Sequence, residues 1–492
     1  MSATALAIYI RIVPSPDQSF FDYMAWLNLH GVRFYKGSFD MTWPGEFVLH
    51  ELYILIFGVH SWTARAGDFL LLQPAVAAIY AFVRRAGFPR AAIAAALLYP
   101  IIYVTSGGWM AGHRDLTGTH LLIGAAIFAL PSKKGSAWPP MVAGLLVGCA
   151  VMIRPTYLAF APMLFLMALP IWRSEERWLP ALFKRGALFG AGVAAPILVF
   201  IVYAFASGTL HDWYVDSFRF VVEVYPVDAS RSRLFGMAAG VLAGMFWWLT
   251  IAGVAGALLW LAVGRSRQAP GLIAAIIATI VLSYFVQNKG FGYHLGGLIP
   301  CLLVLGCAGA EAAFRLPLQP APLRNATAGF VALILLGGTA LRLVHSRPTA
   351  PDWGRQEQQR ALKLSDSIRL AAMIQAESSP DDRLLLWGWE FQVAFLSQRL
   401  SATRFVNTLA ARQIRPGQPL FGQWLTEFDQ ELNASPPKFI LVDQSAIAPG
   451  MGLPVPSVRS GGNMRDILER RISRGYAIRA RSGNVTLLKR VD

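Results

Sequence analysis

Acidic residues are scarce in this chain: 28 Asp and Glu stand against 44 Lys and Arg, a net charge of +16. Charge of either sign is thin, at 15% of residues, where a soluble globular protein carries roughly 25%. With 55% hydrophobic residues and a mean hydropathy of +0.46, that shortage excludes an ordinary water-soluble domain. The basic excess does not make a nucleic-acid binder, which needs a basic face on a soluble domain. Here many of the basic residues fall in short gaps between apolar runs. Cysteine is nearly absent. Cys149, Cys301 and Cys307 all lie in apolar segments. Cys301 and Cys307 point to different faces of one predicted helix, and no disulfide framework or zinc-ligand spacing exists. The reading expects no cleavable signal sequence. It finds no internal repeat, no Rossmann glycine turn and no cytosolic Asp-x-Asp of a nucleotide-sugar site.

What is present is a series of apolar runs. A spanning helix needs about 20 apolar residues to cross roughly 30 Å of hydrocarbon. Candidates fall at 62–83, 89–105, 116–131, 138–153, 156–171, 186–206, 236–263, 271–287, 294–311 and 326–343. Met1–Val13 makes a short eleventh, for which the reading favours a start codon upstream of Met1. The gaps "RRAGFPR", "PSKKGS", "WRSEERWLPALFKR", "GRSRQAP" and "FRLPLQPAPLRN" alternate with the others and are all basic, which makes them cytoplasmic. The regions between them then face outside: the 14–61 loop, "GGWMAGHRD", the 207–235 loop, "QNKGFGYH" and the tail.

The tail changes character. "DRLLLWGWE", "KFILVDQS" and "NVTLLKR" read as short strands. "QVAFLSQRL", "PLFGQWLTEFDQEL" and "MRDILERRISRGY" have helical spacing between them. The expected organisation is a transmembrane domain over 1–344, a helical stalk over 345–380 and an extracytoplasmic α/β domain over 381–492. The fold class is a polytopic α-helical membrane protein of about eleven spans.

The scarce carboxylates gather on the outer face. Asp17, Asp22, Asp40 and Asp115, together with Lys289 and His294, all lie in outer loops by this topology. A transporter would spread ionisable residues towards the midplane instead. The long first loop contains "PDQSFFDYMAWLNLHG" and "FDMTWPGEFVLHELYILIFG", two stretches of helical spacing around an irregular turn, followed by "SWTARAGDFLL". Long loops with helices of their own are usually functional. In order and spacing this resembles the membrane glycosyltransferases of the GT-C fold, including protein O-mannosyltransferases and lipid A aminoarabinose transferases. Two later motifs extend the resemblance: "GHRDLTG", with His113, Arg114 and Asp115, and "QNKGFGYH", with Lys289, Tyr293 and His294.

The resemblance implies a sugar donor carried on polyprenyl phosphate and a cell-envelope acceptor. A carboxylate accepts the acceptor's hydroxyl proton, while a cation stabilises charge growing on the departing phosphate. Asp17 occupies the family's first acidic position and is the expected base; its other reading is a helix cap. Many relatives have a second acid beside it, where this chain has Gln18, so a divalent metal remains an open question. Asp115 is the second expected catalytic residue, with a helix-end pair to His113 or Arg114 as its alternative. Asp22 and Asp40 are candidate substrate contacts, Asp22 with an equal structural reading. Trp43 stands where relatives have a phosphate-binding cation before the Pro. That leaves Lys289, Arg114 and Lys36 as candidate phosphate ligands, Lys289 being preferred. Arg154 reads first as structural, and His50 and His120 as ordinary polar residues on helices.

The expected function is transfer of a sugar from polyprenyl phosphate to a lipid, glycan or protein at the outer face of a bacterial inner membrane. The alternatives are an envelope glycan ligase or polymer enzyme and, in another class, a lipid or oligosaccharide transporter. Membrane lipid is an expected partner and nucleic acid is not.

Overall fold

The computed structural model describes residues 9–130, 138–165, 178–225, 229–263, 267–316, 321–345, 351–443 and 463–491. The basic gap "PSKKGS" and most of Met1–Val13 lie outside the described residues. So do parts of the runs at 156–171 and 172–185 and of "GRSRQAP" and "FRLPLQPAPLRN". The chain is mostly helical, and its Cα positions divide into two compact units. One comprises Met1–Ile12, Asp68–Phe200 and Asp228–Arg355; the other comprises Val13–Gly67, Ile201–Val227 and Gln356–Asp492.

The first unit is a helical assembly. Among the described residues five helices are long and apolar enough to cross a membrane: Thr63–Arg85, Leu182–Ala206, Gln268–Gln287, Gly292–Ala313 and Ala321–Val344. A bent pair, Arg231–Met245 and Trp247–Val263, makes a sixth if it counts as one span. The run expected as one continuous helix over 236–263 is broken there by 87°. Its π-helical stretch Gly240–Met245 is rich in glycine, and a π-turn with small residues is where a helix kinks. Trp247–Val263 packs on Leu298–Ala313 through glycines: a Cβ on Gly309 would lie 2.1 Å from the Gly256 Cα. Small residues permit such close approach where no water drives helices together. Asp68, buried in the Thr63–Arg85 helix, accepts hydrogen bonds from the hydroxyls of Tyr9 and Tyr103, as a polar group at membrane depth must.

The second unit unites the first outer loop with the tail. Helices Pro16–Leu29 and Gly45–Phe57 flank the irregular turn. Helix Pro351–Ala376 leads to a four-stranded sheet of order β1-β2-β4-β3. Its strands are β1 (Leu384–Trp387), β2 (Phe439–Asp443), β3 (Tyr476–Ser482) and β4 (Val485–Arg490). β1 and β2 are parallel, whereas β4 runs antiparallel to both β2 and β3. A single core holds Phe39 of the outer loop and Phe220 together with Trp387, Phe405, Trp424 and Phe428 of the tail. The Phe39 N–H donates to the Arg404 carbonyl at 2.6 Å. The loop is therefore not a separate flap. It is part of the folded body that the sheet belongs to.

Candidate active site

In the first unit a buried charge cluster forms where helix ends meet. Helix Arg114–Ala129 begins at His113, which is extended, and carries Asp115 in its first turn. The Asp115 carboxylate is 1% exposed. It receives the Arg154 guanidinium on Oδ2, and His113 Nδ1 lies 3.0 Å from the same oxygen. Arg154 sits at the joint between helix Trp138–Ile153 and the 3-10 turn Pro155–Ala159, and its other terminal nitrogen donates to the Gln287 side chain. The main chain is pinned as well, because Thr119 Oγ1 and the Tyr157 hydroxyl both donate to the Asp115 carbonyl, at 2.8 and 3.1 Å. An adjacent guanidinium favours the ionised form of a carboxylate. Asp115 is thus a fixed anion with its charge already answered.

"QNKGFGYH" closes over this cluster. Asn288, in the left-handed conformation, ends helix Gln268–Gln287. Lys289 follows, half-buried, and a 3-10 turn over Gly292–Leu295 carries Tyr293 and His294. The His113 ring centroid is 4.3 Å from that of Tyr293 and 6.4 Å from that of His294. His294 is 2% exposed, and its Nδ1 has no hydrogen-bond partner among the described residues. Gly297 permits the approach, since a Cβ there would meet Thr119 Oγ1 at 2.2 Å. The structure therefore brings His113, Asp115, Tyr293 and His294 together. Arg114 and Lys289 are half-buried on the same two segments.

Asp17, Asp22 and Asp40 belong to the second unit. The helix cap at Pro16–Leu29 is Ser15, not Asp17: Ser15 Oγ accepts from the Gln18 N–H at 3.3 Å, and Gln18 Oε1 accepts from the Ser15 N–H at 2.9 Å. Gln18, where relatives have a second acid, is committed to this capping box. Asp17 stands beside it in the first turn, half-buried, where the helix N-terminus favours a negative charge. Asp22 is buried and takes His50 Nδ1 at 2.7 Å; His50 Nε2 is 3.8 Å from Glu46. Burial pushes the Asp22 carboxyl up from its ordinary value, opposed by His50. Asp40 is also buried, with Oδ1 accepting from the Thr42 N–H at 2.7 Å and Oδ2 from Asn407 Nδ2 at 3.0 Å.

Arg154, read as structural, and His50, read as an ordinary polar residue on a helix, have buried partners that the sequence did not name. Asp216 went unremarked, yet it is buried, and both of its carboxylate oxygens accept from Arg404 Nη2, at 2.9 and 2.7 Å. Arg404 also donates to the Tyr35 carbonyl. The partners of these pairs lie 39, 28 and 188 positions away along the chain. Trp43 packs edge-on to Trp213 at 5.4 Å and near Phe218 at 5.8 Å. Among the described residues no group of three or more His, Cys, Asp or Glu has the arrangement of a metal site.

The sequence profile of the dolichyl-phosphate-mannose-protein mannosyltransferase family matches residues 44–206. No curated protein sequence matches the chain. Among solved structures, ArnT from Cupriavidus metallidurans, bound to undecaprenyl phosphate, superposes with a TM-score of 0.62 at 14% identity. The match covers 99% of this chain and 97% of that one. The apo state of the same protein gives the same values. The archaeal oligosaccharyltransferase AglB from Archaeoglobus fulgidus, in complex with an inhibitory peptide and a dolichol-phosphate, scores 0.48 at 12% identity over 89% of this chain and 68% of that one. The resemblance to GT-C membrane glycosyltransferases thus holds for the fold of essentially the whole chain. The protein is a multi-pass membrane protein of that fold.

Proposed function

We propose that the protein transfers a sugar from a polyprenyl-phosphate carrier to a hydroxyl acceptor of the cell envelope, at the outer face of a bacterial inner membrane. The observation that carries this reading is the buried Asp115–Arg154–His113 cluster with His294 and the "QNKGFGYH" turn. It is a costly concentration of charge at helix ends, and it lies in a fold whose relative ArnT holds undecaprenyl phosphate. The family profile over residues 44–206 supports the same reaction class.

In this reading Asp17 is the base. It takes the acceptor's hydroxyl proton as that oxygen bonds to the anomeric carbon. The bond from the anomeric carbon to the phosphate oxygen breaks, and its electron pair stays on the phosphate. Lys289, with Arg114, is assigned to that growing charge, where a charge-assisted hydrogen bond is strongest. Asp115 is already held by Arg154, so it orients the cluster rather than receiving the proton. Asp22 and Asp40 shape the loop that carries Asp17. Gln18, beside Asp17, is taken up by its capping box with Ser15.

The test is purified protein in nanodiscs with radiolabelled polyprenyl-phosphate sugar and an envelope lipid extract as acceptor. Label should pass covalently to an acceptor. Label that only changes leaflet, with the carrier bond intact, would make the protein a transporter.

A further inference from the structure

We propose that the near-parallel rings of Trp109, Tyr293 and Phe291 form the platform on which the donor's sugar stacks, an aldopyranose presenting a face of C–H groups. This rests on the donor reading above and gives it a sugar-recognising surface.

Trp109 lies in "GGWMAGHRD", and 39% of it is exposed. It is not a frayed residue. The next two, Met110 and Ala111, are 4% and 0% exposed; their N–H groups donate to the Gly107 carbonyl, and the Gly112 N–H donates to the Tyr103 hydroxyl at 2.8 Å. A rigid, buried turn therefore holds one large aromatic ring outward. That ring is near-parallel to Tyr293, with centroids 5.6 Å apart and planes 15° apart. Tyr293 in turn is near-parallel to Phe291 at 5.4 Å and 10°. Both of these are half-buried. His113 at 4.3 Å and His294 at 4.7 Å, edge-on in the second case, adjoin the middle ring. The terrace thus borders the charged cluster instead of standing alone.

A tryptophan that only anchors a protein at the lipid headgroups needs no ring beneath it. Three aligned faces do something more specific. An aromatic face is electron-rich, and the C–H groups on one side of a pyranose are its natural complement. The hydroxyls at the sugar's rim are then left for polar partners. Placed next to the cations assigned to phosphate, such a surface reads the ring attached to that phosphate. It tells loaded carrier from spent carrier.

The measurement is equilibrium binding of two radiolabelled lipids to the full-length protein in nanodiscs. One is bare undecaprenyl phosphate; the other is the same lipid bearing each of several hexoses and pentoses. For the preferred sugar, Trp109→Ala should weaken binding of the loaded lipid about 3–10-fold, the worth of one aromatic stacking contact. Affinity for the bare lipid should not change, and Trp109→Phe should keep most of the preference. Equal loss for both lipids would overturn the proposal by assigning the ring to the carrier. So would no loss for either with a lowered melting temperature, which would leave an interfacial anchor only. If the wild-type protein binds no loaded lipid better than the bare one, the donor reading itself falls, whatever Trp109 does.

Discussion

The four aspartates of the site motifs differ in how deeply they are set. Asp22, Asp40 and Asp115 are buried and held by His50, Asn407 and Arg154 respectively, whereas Asp17 is half-buried in the first turn of its helix, beside the capping box made by Ser15 and Gln18. Asp17→Asn should insert and fold normally while turnover falls about 10²–10⁴-fold, the usual cost of a lost general base; wild-type turnover would remove it from the mechanism. Asp115→Asn should behave differently. It leaves the Arg154 guanidinium buried against a neutral partner, which costs about 3–5 kcal/mol, so its melting temperature should drop along with activity. A stable but inactive Asp115→Asn protein would return Asp115 to direct chemistry. A third carboxylate gives a pH signature. Burial pushes Glu431 up to about 7, against the Arg404 N–H that it accepts. A carboxyl whose folded value is raised stabilises the protein fully below its unfolded value, near 4.3, and loses that contribution as pH rises through about 7. Stability should therefore fall between pH 5 and 8 by about 1–2 kcal/mol, allowing for the partial exposure of the group. Glu431→Gln should flatten that slope in melting curves. The sequence made Asp17 and Asp115 visible because each sits in a recognisable motif. It hid the partner of Arg154, because a residue 39 positions away is chosen by packing and no local pattern announces it.

Elements followed the same division. The Pro16–Leu29 and Gly45–Phe57 helices and strands β1, β2 and β4 have clear periodicity or β-branched and aliphatic runs, and they were legible. Strand β3 was not: "YAIRARS" starts directly at the end of a helix, after Gly475, and alternates with arginine. It is an edge strand whose residues are largely exposed, and charge is how proteins protect such edges. The break at Phe246 was hidden for the opposite reason, since every residue around it is apolar and hydropathy cannot sense direction. Glycines carry what the pattern cannot. Gly297→Ala should force helix Leu298–Ala313 away from Thr119. Overpacking of that kind costs about 1–3 kcal/mol, and here it would also separate His294 from Asp115. The control is Gly329→Ala, in helix Ala321–His345 with nothing within 4 Å of its new Cβ. That change should be neutral or stabilising by up to about 1 kcal/mol. Equal melting temperatures and activities for the two variants would mean that the Gly297 contact does not position the cluster.

At the scale of the whole molecule the question is which side of the membrane the chemistry faces, and parity decides it. Among the described residues five helices, or six with the bent pair, meet the length of a full span. Pro89–Thr105 and Trp138–Ile153 are shorter, with 17 and 16 residues. At 1.5 Å per residue they reach only about 24–26 Å, less than the roughly 30 Å of hydrocarbon. Helices of that length cross where the bilayer thins locally. Charge supplies the missing constraint. The basic gaps alternate with the gaps that hold Asp17, Asp115 and Lys289, and basic short loops stay in the cytoplasm. We therefore propose an odd number of crossings, with the tail on the side opposite the basic gaps. A reporter that works only outside the cytoplasm should therefore be active when fused after Asp492 and silent when fused after Lys134. The intermediate fusions matter as much. One at Gly108, in the turn before Asp115, should share the activity of the Asp492 fusion, because the proposed phosphate site and the tail are assigned to one face. An active Asp492 fusion with a silent Gly108 fusion would keep the tail outside but move Asp115, Arg154 and Lys289 to the cytoplasmic side. A sugar carrier presented from outside could not then be the donor they meet.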